Sequence, residues 1–164
     1  MGAVSAIVSD SLRPMNKPAS KGTQAEAALA LTGPENLKDK TVIDTTNPIA
    51  EVPPEQGVLK LFTDHNQSLM EKLEAKAPGA RFVKAFSSVG AAAMVNPNFR
   101  GGKPTMFIAG NDTGAKKTVS SILDQFGWEV EDMGGAIAAR AIEPLCILWC
   151  QPGFARNDWF HAFK

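Results

Sequence analysis

Apolar positions along the chain fall into short β-branched runs, separated by longer stretches in which they recur every three or four residues. Ala3 to Val8 is a first apolar run, followed by SLRPMNKPAS, whose prolines, serines and Asn16 oppose regular structure. Ala25, Ala28 and Leu29 then recur at helical spacing, and Thr23 and Glu26 have the separation of a capping box. The pattern predicts a helix from about Thr23 to Leu31, closed by Gly33-Pro34. TVIDT, Thr41 to Thr45, predicts a strand that ends at the Asn47-Pro48 turn. Ile49 to Thr63 holds Pro53, Pro54 and Gly57 without periodicity, which predicts a long loop and a candidate lid.

Leu69, Met70, Leu73 and Ala77 return to helical spacing from about Asn66, and Pro78-Gly79 stops them. RFVKAF, Arg81 to Phe86, predicts a strand, and Ser88 to Val95 one or two helical turns. TMFIA, Thr105 to Ala109, is the next strand. Asn111 or Asp112 can cap a helix in which Ala115, Val119, Ile122, Leu123 and Phe126 share a face, up to Gly127. WEVED, Trp128 to Asp132, closes the series of strands, and Ala136 to Trp149 reads as a last helix kinked at Pro144. This alternation predicts an α/β chain, residues 1–164 forming one Rossmann-like domain with a doubly wound, mainly parallel sheet and helices on both faces. The strands lack strict apolar-polar alternation, as expected of a sheet covered on both sides. Ligands of such sheets collect beyond the carboxyl ends of the strands, here the loops after Thr45, Phe86, Ala109 and Asp132.

Charge removes several classes of partner. Lys plus Arg total 17 and Asp plus Glu total 17, so no broad positive field draws in nucleic acid or an anionic membrane. The two cysteines, Cys146 and Cys150, are too few for a disulfide framework and too few to complete a zinc site, and His65 and His161 lie far apart in sequence. No metal site is expected. The apolar stretches fall short of the roughly 20 residues of a membrane span, and MGAVSAIVSD lacks the basic start of a secretory signal. A cytoplasmic protein is expected.

The glycine loop that holds a dinucleotide pyrophosphate, G-x-G-x-x-G, does not occur: no two glycines stand two residues apart. The P-loop pattern is absent as well. Yet four blocks in order, TVIDTTNPIA (Thr41 to Ala50), APGARFVKAFSSVG (Ala77 to Gly90), PTMFIAGND with its following helix (Pro104 to Phe126) and ARAIEPLCILW (Ala139 to Trp149), are similar to the NADPH-dependent coenzyme F420 reductase family. These are Rossmann oxidoreductases related to pyrroline-5-carboxylate reductases and to the reductase domains of some membrane ferric reductases. The resemblance spans roughly residues 21 to 164. Its glycine-rich first half has no counterpart in Met1 to Ser20, so the chain is expected to be amino-terminally shortened.

The resemblance implies that Thr46, Asn47 and Pro48 lie beside the nicotinamide of NADP, that Phe86, Ser87 and Ser88 form another wall, and that Gly22 and Thr23 line the cofactor loop. Each has a plainer reading: an Asn-Pro turn, an N-cap formed by Ser87 or Ser88, and helix capping by Thr23. Lys84 is a charge inside an apolar strand. It either anchors a carbonyl or phosphate of the substrate, or lies at a strand edge with its amine in water. Arg140 and Glu143 are expected to pair on a helix surface. Trp149, Phe154, Trp159, Phe160 and Phe163 gather at the carboxyl end, as a homodimer surface with part of the ligand wall or as plain core.

No nucleophile triad or catalytic carboxylate pair is defensible, and hydride transfer needs none. The resemblance implies an NAD(P)-dependent oxidoreductase with coenzyme F420, a flavin or another small molecule as redox partner. Two alternatives stand beside it: a non-catalytic, self-associating Rossmann-like remnant, and an enzyme that reduces a cyclic imine.

Overall fold

The structure, a computed structural model, describes residues 4–7 and 22–164. The irregular connection expected after Val8 lies outside the described residues. Strands β1 (Val4–Ile7), β2 (Thr41–Asp44) and β3 (Arg81–Lys84) pair in parallel and in step, with Val4 beside Thr41 and Thr41 beside Arg81. Strands β4 (Thr105–Ile108) and β5 (Glu129–Asp132) form a second parallel pair. Helices α1 (Gly22–Thr32), α2 (Leu69–Lys76) and α3 (Thr113–Gln125) make the crossovers between β1 and β2, β2 and β3, and β4 and β5. This is a mixed α/β fold with parallel strands.

The connection from β3 to β4 is different. Ser88 to Val95, expected to be helical, forms only a 3-10 turn at Ala91–Ala93. Parallel neighbours require a long crossover, usually a helix. Without one, β4 returns against β3, and the two ladders meet at a single antiparallel bridge in which the Lys84 N–H donates to the Ala109 carbonyl at 2.8 Å. β3 also ends at Lys84 rather than Phe86, because Phe86 has φ +61°, a left-handed conformation no strand accommodates.

Successive residues of a strand face opposite sides, and each side has its own core. Val42 and Phe82 pack with Ala25 and Leu29 of α1 and Leu69, Met70 and Leu73 of α2. Ile43 and Val83 pack with Ala115, Val119 and Leu123 of α3, and with Met106, Ile108 and Trp128. α3 begins as its sequence predicts, with the Asp112 carboxylate accepting from the Ala115 N–H at 2.6 Å. α2 is fixed by a capping box in which Ser68 and Glu71 satisfy each other's backbone donors.

Ile49 to Thr63 is a hairpin-like excursion rather than an irregular loop. Its limbs meet at Ile49 and Leu61, and Glu55 and Val58 exchange backbone hydrogen bonds of 3.0 Å across a turn. Gln56 (φ +51°) and Gly57 (φ +84°) have the paired positive φ that a two-residue hairpin turn demands. Its tip is docked, since Gln151 Nε2 donates to the Gly57 carbonyl at 2.9 Å.

The last helix divides in two. A 3-10 turn at Ala136–Ala138 leads into α4 (Ala139–Ile142), and α5 (Leu145–Arg156) begins after Pro144 and runs well past Trp149. The remaining tail folds back, with the Thr105 N–H donating to the Phe163 carbonyl at 2.9 Å and Trp149 Nε1 to the His161 carbonyl at 3.0 Å. The carboxyl-terminal aromatics thus pack within the chain, as in the Trp149–Trp159 and Phe99–Phe160 contacts at 6.0 and 4.8 Å. No described helix is long and apolar enough to cross a membrane.

Leu73 has no exposed surface, whereas Leu31 is 90% exposed. Leu73→Ala is expected to lower unfolding free energy in urea by about 2–5 kcal/mol. Leu31→Ala is expected to stay within about 0.5 kcal/mol of the parent. Equal effects would contradict the packing described.

Candidate functional site

The carboxyl ends of β2 and β3 come together around one buried cation. Asp44 and Lys84 are register partners on these neighbouring strands. Both are fully buried, with Lys84 Nζ 2.8 Å from Asp44 Oδ2. The ammonium also donates to the Thr46 carbonyl at 2.7 Å and reaches Glu143 Oε1 at 2.8 Å. An ammonium has three donors, and these contacts use them all. Burial on its own disfavours the charged amine, but the Asp44 and Glu143 carboxylates outweigh it and hold the Lys84 pKa above its ordinary value.

Two sequence expectations change here. Lys84 is not at a water-reaching strand edge, and no donor remains on it for a substrate carbonyl or phosphate. Arg140 and Glu143 do not pair on a surface. Arg140 instead grips Glu71, with Nε and Nη2 at 2.9 and 2.6 Å from the carboxylate. Glu143, 1% exposed, accepts the Leu69 and Met70 N–H groups at 2.8 and 3.0 Å, so one carboxylate serves both the lysine and the amino terminus of α2.

Asp44 also shapes the chain that follows it. Its second oxygen accepts from the Thr46 N–H at 2.9 Å and the Thr46 hydroxyl at 2.7 Å, closing a turn. Asn47 then extends toward β3 and donates through Nδ2 to the Ser87 carbonyl at 2.9 Å. Asn47 Oδ1 and Ser87 Oγ are buried polar atoms with no hydrogen-bond partner among the described residues. Such atoms cost about 1–3 kcal/mol each when nothing meets them, so their presence on two neighbouring residues beyond β2 and β3 marks a candidate place for a polar ligand or water.

The other expected residues gather unequally. Gly22, at the start of α1, lies so close to the turn that a Cβ there would collide with the Asn47 carbonyl, which makes glycine the residue that fits. Gly22, Asn47 and Pro48 therefore belong to one corner. Thr23 lies inside the first turn of α1 rather than at its cap, and its hydroxyl donates to Glu51 Oε1 at 2.7 Å. Phe86 contributes its left-handed backbone to the wall, while its ring turns into the core against Trp128 and Phe126 at 6.5 and 6.3 Å. Ser87 and Ser88 are both buried, and neither caps a helix, since the next turn starts after Gly90 without a side-chain cap.

Asp44 and Glu143 were missing from the expected site. Asp44 had a legible signal, an acid within an apolar strand at the same position as the lysine of a neighbouring strand. Glu143 had none, because its partners at Leu69, Met70 and Lys84 are remote in sequence. Beyond Glu143 opens a cleft of about 350 Å³ walled by Leu61, His65, Ser68, Arg140, Pro144 and Ile147. Burial pushes the thiols of Cys146 and Cys150 up to about 12 and about 11, so neither is a ready thiolate. Among the described residues, no group of three His, Cys, Asp or Glu side chains is placed to hold a metal.

Comparison with known proteins puts this arrangement in context. No protein-family model matches the chain. A crystal structure of a "putative F420 dependent NADP-reductase" from Arthrobacter sp. FB24 superposes with a TM-score of 0.80 and 32% identity, over 87% of this chain and 64% of that one. Metalloreductase STEAP3 of Rattus norvegicus is 31% identical over 133 residues, 79% of this chain and 25% of the longer protein. Hypothetical protein SMa0349 from Sinorhizobium meliloti matches with a TM-score of 0.52 and 26% identity, over 62% of this chain and 47% of that one. The chain thus spans a quarter of the length of this curated relative. The resemblance read from the four sequence blocks, to reductases of the F420-dependent kind, is borne out.

Glu71 yields a pH prediction. Hydrogen bonds from Arg140 hold its carboxyl at about 2, against an ordinary 4.5, with Ser68 assisting and partial burial opposing. A carboxyl depressed by folding contributes stability that is complete above its unfolded value and is lost as pH falls through its folded value. Glu71→Gln is therefore expected to flatten the loss of stability between pH 4.5 and pH 2 in urea titrations. An unchanged acid limb would count against the Arg140 clamp.

Proposed function

We propose that this chain serves an NADP-dependent oxidoreductase with a doubly wound Rossmann architecture, moving hydride between NADP(H) and a small acceptor, a deazaflavin such as coenzyme F420 or a flavin. The observation that carries the reading is the pair of polar atoms beyond β2 and β3, Asn47 Oδ1 and Ser87 Oγ, that no described residue meets. One can only accept a hydrogen bond and the other can donate one. A primary carboxamide offers the matching pair, an N–H donor and a carbonyl acceptor, and it is the group that nicotinamide carries.

The residues present fit that group. Asn47 and Ser87 would hold its carboxamide, Thr46 and Pro48 would form the adjoining turn, Gly22 leaves room for the backbone approach, and Phe86 and Ser88 complete the opposite wall. Bound NADPH supplies the hydride. The protein's part is to orient the carboxamide and keep water from the strand tips, which needs no titrating side chain. The similarity to reductases whose names include NADP or metal reduction supports the class of reaction. The acceptor is the finer part of the proposal. A cytoplasmic homodimer goes with it, for which the exposed Leu148 (57%) and Phe160 (56%) supply apolar surface.

One observation favours a second reading. The sequence has no G-x-G-x-x-G loop for the pyrophosphate, as a self-associating remnant without cofactor binding would have it. Titration of NADPH by fluorescence or calorimetry separates the two. Saturable binding is expected, weakened roughly tenfold by Asn47→Ala through loss of its hydrogen bonds. Absence of binding at millimolar NADPH would select the remnant for this chain.

A further inference from the structure

We infer that Lys84 is a positioning residue: it fixes the turn that presents the Asn47 amide, without touching the ligand itself. The inference rests on the nicotinamide reading of Asn47 and Ser87 for its consequence, though not for its geometry.

The argument begins with what a buried ion triad costs. Asp44, Lys84 and Glu143 are at or near zero exposure, and charges so placed usually stabilise a fold no more than well-packed apolar side chains of the same volume. Stability alone is therefore a poor account of them. Their directions are informative. Thr46, the residue before Asn47, is gripped at both ends of its backbone, its N–H by Asp44 Oδ1 and its carbonyl by Lys84 Nζ. Asp44 divides its two oxygens between these tasks, Oδ1 to Thr46 and Oδ2 to Lys84. With Thr46 immobilised, the Asn47 side chain needs only the bond from Nδ2 to the Ser87 carbonyl to leave Oδ1 aimed at one place.

Electrostatics explains the third member. Lys84 with Asp44 alone is neutral, and Glu143 brings the triad to a formal charge of −1. The amino terminus of α2 offsets that excess through the Leu69 and Met70 N–H groups. The outcome ties the Asn47 turn to β3, to the start of α2 and to the junction before α5. The nicotinamide-facing amide is thereby set by elements that do not contact it.

The test needs a readout independent of turnover. The Asn47 side-chain amide is followed by ¹H–¹⁵N NMR in the ligand-free full chain, and binding of nicotinamide mononucleotide and of 2′-phosphoadenosine diphosphate is measured in parallel. The main variant is Lys84→Met with Glu143→Gln, which removes the cation without leaving two facing carboxylates. Its Asn47 amide resonances are expected to shift and broaden, and its affinity for nicotinamide mononucleotide to fall roughly tenfold or more with the adenosine probe unaffected. Lys103→Met, which removes the exposed pair with Asp124 and leaves every partner of Lys84 in place, is expected to leave the Asn47 amide where it is. Thr46→Val removes one bond to Asp44 with all three charges in place, and it is expected to move the amide even if the double variant does not fold. An Asn47 amide unmoved in both Lys84→Met/Glu143→Gln and Thr46→Val overturns the inference, as does an equal movement in Lys103→Met. Failure of the parent chain to bind nicotinamide mononucleotide would sink the functional reading while the NMR arm still decides the positioning role.

Discussion

A lysine ammonium with no access to water must be solvated by the protein, and much of this architecture follows from how that is done. Lys84 takes one acceptor from its neighbour strand, one from the turn after that strand and one from the break between two helices. Each acceptor has a second obligation. Asp44 shapes the turn, Thr46 leads to Asn47, and Glu143 occupies the amino terminus of α2. An error in strand register by one residue would place Val83 or Ala85 opposite Asp44 and leave a carboxylate buried without a partner. The parallel pairing of β2 and β3 is thus specified by charge as well as by its apolar faces.

The second constraint is the left-handed backbone of Phe86. A bulky residue with φ +61° is costly by about 1–3 kcal/mol, and it persists only where its surroundings demand it. Here the demand comes from both sides. The ring is captured in the α3-side core by Trp128 and Phe126, and the N–H meets Met106 Sδ at 3.1 Å. The next residues are thereby thrown across the end of β2, where Ser87 meets Asn47. The same loop supports the carboxyl-terminal segment, for a Cβ on Gly90 would lie 3.2 Å from the Trp149 ring. Trp149 and His161 then exchange hydrogen bonds through their rings and carbonyls, which fastens the tail over this side of the molecule.

These constraints give the candidate site a rigid back and an unsatisfied front. Behind Asn47, all three donors on the lysine are used and both Asp44 oxygens are engaged. In front, two buried polar atoms have no partner among the described residues. Preorganised groups of this kind bind with little ordering cost, since the side chains that would otherwise lose rotamer freedom are already fixed. The chemistry proposed for the site asks for that and little more, because a hydride donor brings its own reactivity.

Local sequence determined the elements that depend on neighbours in the chain. The positions of β2, α2, α3 and β4 were legible from apolar periodicity, and the start of α3 from Asp112, because strand and helix formation and capping are decided within a few residues. The Asn47-Pro48 turn and the serines after Phe86 were legible as a candidate site only through family resemblance. What the sequence alone left open was every contact made across the fold. Lys84 read as a strand edge or an anchor, Arg140 and Glu143 looked like partners, and Ile49 to Thr63 looked shapeless. Tertiary structure decided these, because Glu143 reaches residues more than 70 positions earlier, at Leu69 and Met70. A buried charge takes the partner that packing delivers, and proximity along the chain carries no information about which partner that is.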